Sequence, residues 1–108
     1  MHNMIFKIFL PLFFLLCLSA STALAHKVNV FAYVEGDTVY TESYFPDGRP
    51  VAGGTIEVLD SADAKLLEGK TDTEGKFSFA LPARENLTIV INASMGHRNT
   101  YLLKKEDM

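Results

Sequence analysis

Residues 26–103 predict an all-β fold, a seven-stranded antiparallel β-sandwich. Three observations carry that expectation. Apolar and polar side chains alternate with period two through seven short runs. Gly-, Pro- and Asp-rich breaks separate the runs at the spacing typical of sandwiches. No stretch shows a convincing helical period, and Ser61–Lys65 offers one turn at most.

The elements follow in order. Val28, Val30, Ala32 and Val34 alternate with Lys27, Asn29, Phe31 and Tyr33. Over residues 37–45, Val39, Thr41, Ser43 and Phe45 alternate with Tyr40, Glu42 and Tyr44. Ile56 and Val58 mark a buried face in residues 55–60, and residues 65–70 form a weaker strand. Phe77, Phe79 and Leu81 define the fifth run; Leu87, Ile89, Ile91 and Ala93 define the sixth. Residues 98–103 close the set, and residues 104–108 read as a tail. Glu35-Gly36-Asp37 is a tight hairpin, Pro46-Asp47-Gly48-Arg49-Pro50 a proline-bounded loop, and Gly75 ends a turn that needs positive φ.

Residues 1–25 read differently. Lys7 precedes an apolar run from Ile8 to Leu18 interrupted by Pro11, and a small, polar stretch then ends in Ala23-Leu24-Ala25. This is the pattern of a signal peptide cut after Ala25. It predicts a periplasmic or otherwise extracytoplasmic protein. The alternative is an uncleaved anchor, since residues 5–25 are long enough to span a bilayer. Cys17 is the sole cysteine, so the mature chain has no disulfide, and any metal site uses nitrogen, oxygen or thioether ligands. The mature part carries thirteen acids against nine bases, with no basic stripe, which argues against nucleic acid.

Two resemblances rest on particular residues. Gly48-Arg49-Pro50-Val51-Ala52-Gly53-Gly54-Thr55-Ile56-Glu57-Val58 and Thr71-Asp72-Thr73-Glu74-Gly75-Lys76-Phe77-Ser78-Phe79 resemble the signature of carboxypeptidase regulatory-like domains, which implies a transthyretin-like sandwich. His26-Lys27-Val28-Asn29-Val30-Phe31-Ala32, Tyr44-Phe45-Pro46-Asp47-Gly48 and Met95-Gly96-His97-Arg98 together resemble small extracytoplasmic accessory components of bacterial nickel and cobalt transporters of the energy-coupling-factor type. That second resemblance implies Ni(II) or Co(II) as cargo and membrane transporter subunits as partners.

The residues themselves suggest a site. Cleavage after Ala25 makes His26 the new terminus, where its α-amine and imidazole Nδ1 can close a chelate ring on one ion. Unperturbed, such groups titrate at about 7.7–8.0 and about 6.5, so both shed protons near neutral pH. Nitrogen donors suit Ni(II), Co(II) and Cu(II), and copper wins on raw affinity. His97 is the one other histidine after residue 25. If successive strands reverse, the start of the first strand and the loops Pro46–Gly53, Thr71–Gly75 and Ser94–His97 all reach one pole. His26 and His97 are therefore the expected metal ligands, with Met95 as a thioether candidate and Asp47, Asp72 and Glu74 as neighbouring carboxylates. The structural alternatives are a solvated loop for His97, a core plug for Met95, and turn-forming roles for Asp47 and Asp72.

No nucleophile–base pair, nucleophile-elbow serine or phosphate loop is present in the sequence, so no enzyme activity is expected. Two functions remain. One is a metal-binding accessory protein that assists nickel or cobalt uptake. The other is a metal-free interaction module that contacts a membrane or envelope partner, for which Phe31, Tyr33, Tyr40 and Tyr44 offer an aromatic face.

Overall fold

The computed structural model describes residues 27–108; His26 and the signal-like segment lie outside the described residues. Seven strands form: β1 (Asn29–Glu35), β2 (Thr38–Tyr44), β3 (Thr55–Leu59), β4 (Lys65–Lys70), β5 (Lys76–Ala80), β6 (Leu87–Asn92) and β7 (Arg98–Leu103). They build two antiparallel sheets, ordered β1-β2-β5 and β4-β3-β6-β7. The expected all-β sandwich is the fold observed, and each strand starts or stops within two residues of its apolar run.

Period-two alternation translates directly into two faces. Val28, Val30, Ala32 and Val39 from the smaller sheet meet Ile56, Val58, Leu87, Ile89, Ile91 and Leu103 from the larger one. Ile56, Val58, Leu87, Ile89 and Ile91 are fully buried, each worth about 1.5–3 kcal/mol of transfer free energy. At one side of the sandwich the ring of Phe77 on β5 sits where a side chain at Gly69 on β4 would go. At the other side Asn99 Nδ2 on β7 donates to the Val28 carbonyl at 3.0 Å, tying the entry to β1 to the opposite sheet.

The turns use the chemistry written in their residues. Gly36 takes φ of +60° between β1 and β2, which pair with Glu35 opposite Thr38. Asp60 Oδ1 accepts from the backbone N–H groups of Ala62 and Ala64 and shapes the β3–β4 turn over Ser61 to Ala64. A register shift between Val58 and Leu59 follows, so β4 bends at this edge.

One buried residue was not legible as core. Val90 points away from the inter-sheet core yet is 2% exposed. It is flanked across the sheet by Glu57 and Thr100, so a central strand of the larger sheet is shielded on both faces.

Two polar side chains point inward on β2. Thr41 Oγ1 donates to the Phe77 carbonyl at 3.0 Å. Ser43 Oγ is buried and has no hydrogen-bond partner among the described residues. A buried hydroxyl without a partner costs about 1–3 kcal/mol. Ser43→Ala is therefore expected to raise stability by about 1 kcal/mol. The check is a urea melt: a midpoint at or below that of wild type would show that Ser43 is satisfied in solution.

Candidate functional site

The strand directions put the predicted loops together. β1 and β5 run antiparallel to β2, β4 and β6 run antiparallel to β3, and β7 runs antiparallel to β6. Phe45, just past β2, touches His97, which lies between β6 and β7. Hence β2 and β6 run toward the same pole, where β1 begins. The parity expected from the sequence holds.

A groove of about 420 Å³ opens at this pole, lined by Lys27, Phe45, Asp47, Arg49, Met95 and His97. Phe45 is its wall. The His97 ring meets Phe45 edge-on, with centroids 6.3 Å apart and planes at 82°. The Arg49 guanidinium carbon stands 5.1 Å from the same ring centroid, a cation–π contact. Asp47 then locks Arg49 in place. Its Oδ1 accepts from the Arg49 backbone N–H at 3.0 Å and its Oδ2 from Nε at 2.7 Å.

Those bonds hold the Asp47 carboxyl below the ordinary aspartate range. The Arg49 backbone N–H contributes most, and the guanidinium adds to it. Because the folded-state value is depressed, this turn's contribution to stability is present above the ordinary aspartate range. It is lost as pH falls through the lowered value. At neutral pH Asp47 is ionised and already bonded to Arg49, so it is a turn-former. Asp72 is one as well: its Oδ1 accepts from the backbone N–H groups of Glu74 at 2.8 Å and Lys76 at 2.9 Å. Glu74 lies 3.7 Å from Lys76 Nζ. The three carboxylates of this pole thus have partners within their own turns.

His97 and Met95 sit on a tight turn over Ser94–Gly96. Met95 adopts φ of +63° and Gly96 φ of +75°. The His97 backbone N–H reaches the Ser94 carbonyl at 3.4 Å, and its carbonyl accepts from Ala93 N at 2.8 Å. The left-handed Met95 backbone turns its side chain out, leaving it 92% exposed. Met95 is therefore no core plug, and its thioether is free in solvent at the groove rim. His97 is half-buried, not the fully solvated loop residue of the alternative reading. Its Nδ1 is buried and has no hydrogen-bond partner among the described residues, while a metal-bound imidazole ordinarily has its second nitrogen bonded.

Among the described residues, no group of three or more His, Cys, Asp or Glu side chains is arranged to hold a metal ion. The described part of the pole supplies His97 and Met95 as donors, so a metal there needs further ligands. Sequence reasoning missed Arg49 and Lys27 as lining residues and Phe45 as the wall. The Asp47-Gly48-Arg49 turn was visible, but nothing local shows that Arg49 folds back over an aromatic ring.

A protein of Haemophilus influenzae, described as uncharacterized, is similar to this chain. It is 38% identical over 79 residues, covering 70% of this chain and 49% of that protein. No family model matches the sequence, and no solved structure matches it. The chain spans about half the length of the relative it matches, and the likeness brings no activity with it.

Proposed function

We propose that this protein is an extracytoplasmic accessory that captures Ni(II) or Co(II) and passes the ion to a membrane transporter, with Cu(II) as a competing ion. The role is binding and transfer, not catalysis. One observation supports it above the rest: Lys27 lines the same groove as His97 and Met95. Residue 26 is one peptide away, about 3.8 Å between Cα atoms. Removal of a signal peptide after Ala25 would therefore free the α-amine of a histidine bonded directly to a groove-lining residue.

The donor chemistry fits such an ion. Amine and imidazole nitrogens suit Ni(II), Co(II) and Cu(II), and a thioether adds a softer donor. The unpartnered Nδ1 of His97 has a lone pair or proton still to be matched, either by the ion or by the chain before Lys27. Lys27 and Arg49 border the groove, and the one carboxylate lining it is bonded to Arg49. Fixed positive charge beside a dication weakens its hold. An incomplete, electrostatically strained site favours delivery to a partner over storage.

Nickel titration by calorimetry tests this on the exported protein, whose first residue is fixed by mass spectrometry. One ion per chain is expected. His97→Ala should weaken binding by about tenfold or more, which is about 1.4 kcal/mol. A variant with one alanine added before His26 should lose as much, because its amine becomes an amide. Acid should weaken binding as pH falls from about 8 to about 5, because the donor nitrogens must be unprotonated. Equal affinity in all three proteins, or a pH-independent affinity, would overturn the reading.

A further inference from the structure

The outer face of the smaller sheet carries a second feature, which involves no histidine. Side chains there stand in rows across the strands. Tyr33 on β1 pairs with Tyr40 on β2, which pairs with Ser78 on β5. The adjacent row is Phe31, Glu42 and Lys76. Three rings of these rows are nearly parallel: Tyr33 and Tyr40 are 5.4 Å apart at 20°, and Phe31 and Tyr33 are 6.1 Å apart at 25°. The row then ends on the small Ser78, so the aromatic surface stops one strand short of the sheet edge.

A hollow of about 600 Å³ lies here, and its lining includes Tyr33, Tyr40, Glu42, Lys70, Asp72, Lys76 and Ser78. Some of its polar groups have partners: Lys70 Nζ donates to Thr55 Oγ1 at 2.7 Å, and Asp72 Oδ1 caps its own turn. Others have none. Among the described residues nothing bonds the Tyr33 hydroxyl, the Tyr40 hydroxyl, the Ser78 hydroxyl or the half-buried Glu42 carboxylate.

We infer that this hollow binds a neutral oligosaccharide. The ring stack offers apolar edges, and an open ring face at its end, on rigid side chains that order at low entropic cost. Hydroxyls that both donate and accept, together with a carboxylate that accepts two bonds, match the vicinal hydroxyls of a pyranose. The lining holds two acids and two bases, Glu42 and Asp72 against Lys70 and Lys76. It therefore presents no net charge and selects neither an anionic nor a cationic ligand. At the entry to β5 an extended peptide would find the backbone edge already taken. Lys76 is already occupied, because its N–H donates to Asp72 Oδ1 and its carbonyl accepts from Asp72 N.

The test is a nuclear magnetic resonance titration of the exported protein. The probes are chitotetraose, cellotetraose and maltotetraose, with sialyllactose and a serine-rich nonapeptide as contrasts. At least one neutral tetrasaccharide should shift the amides of Tyr33, Tyr40, Glu42 and Ser78 at concentrations up to about 10 mM, the weak range expected of a shallow site. Tyr40→Ala should weaken that binding by about tenfold. Ser78→Tyr, which continues the aromatic row and fills the hollow at an exposed strand position, should abolish it while the thermal melt is retained. No shift with any neutral tetrasaccharide, stronger binding of the peptide or of sialyllactose, or unchanged affinity in a folded Ser78→Tyr variant would overturn the inference.

Discussion

Gly75→Ala is expected to lower the stability of this protein by about 2–5 kcal/mol. Gly75 has φ of +77°, a conformation that costs an L residue about 1–2 kcal/mol. The larger part is steric. A methyl group at this position would meet the backbone carbonyl oxygen of Ser43, with the Val51 nitrogen at 3.1 Å and Pro50 Cβ at 3.3 Å. None of these atoms is the end of a flexible side chain. Ser43 N donates to the Gly75 carbonyl at 2.8 Å, and the Ser43 carbonyl accepts from Val51 N at 3.0 Å. Making room for the methyl breaks one of these bonds and separates the loop after β4 from β2. In a domain of this size, about 1 kcal/mol shifts Tm by about 4–8 °C. A thermal melt should therefore show a fall of at least about 8 °C. Gly36→Ala is the control, because its positive φ is similar but no atom lies within 4 Å of the added carbon. If both variants melt alike, the close approach at Gly75 contributes nothing.

Thr71→Val should cost about 2–6 kcal/mol, although it keeps the shape of the side chain. Thr71 is 4% exposed. Its hydroxyl donates to the Val51 carbonyl and accepts from Gly54 N at 2.8 Å. Valine leaves that donor and that acceptor buried without partners, each at about 1–3 kcal/mol. The backbone bonds of Thr71 with Gly53 and Gly54 remain, so the strand end stays in place and the loss falls on the loop over residues 46–54. Hydrogen exchange at Gly54 should quicken well beyond exchange in β6, and Thr71→Ser should recover most of the lost stability. Wild-type urea midpoints for Thr71→Val would show that the hydroxyl is not a structural bond.

Both variants act on the pole that carries the candidate metal groove. The loop welded by Thr71 and Gly75 holds Asp47 and Arg49, and Arg49 braces the Phe45 wall against which His97 rests. The rigidity of the groove thus depends on residues that line none of it. The aromatic hollow is lined from the outer face of the smaller sheet and shares no lining residue with the groove. Loss of metal binding would leave the oligosaccharide inference standing, and the reverse also holds.

The alternation of Val28, Val30 and Ala32 with Asn29, Phe31 and Tyr33, and of Leu87, Ile89 and Ile91 with Thr88 and Asn92, was enough to place the strands and their inward faces. Turn residues placed the breaks, and strand reversal alone brought residue 27 and His97 to one end. These are local properties: an extended backbone sends neighbouring side chains to opposite faces whatever it later pairs with. Partner choice was not local. That β5 joins β2, that β6 enters between β3 and β7, that Val90 is buried on an outer face, and that Tyr33, Tyr40 and Ser78 share a row were decided by the tertiary structure. Contacts between residues 30 or 40 positions apart depend on how two whole sheets bury their apolar faces together, and no run of ten residues contains that information.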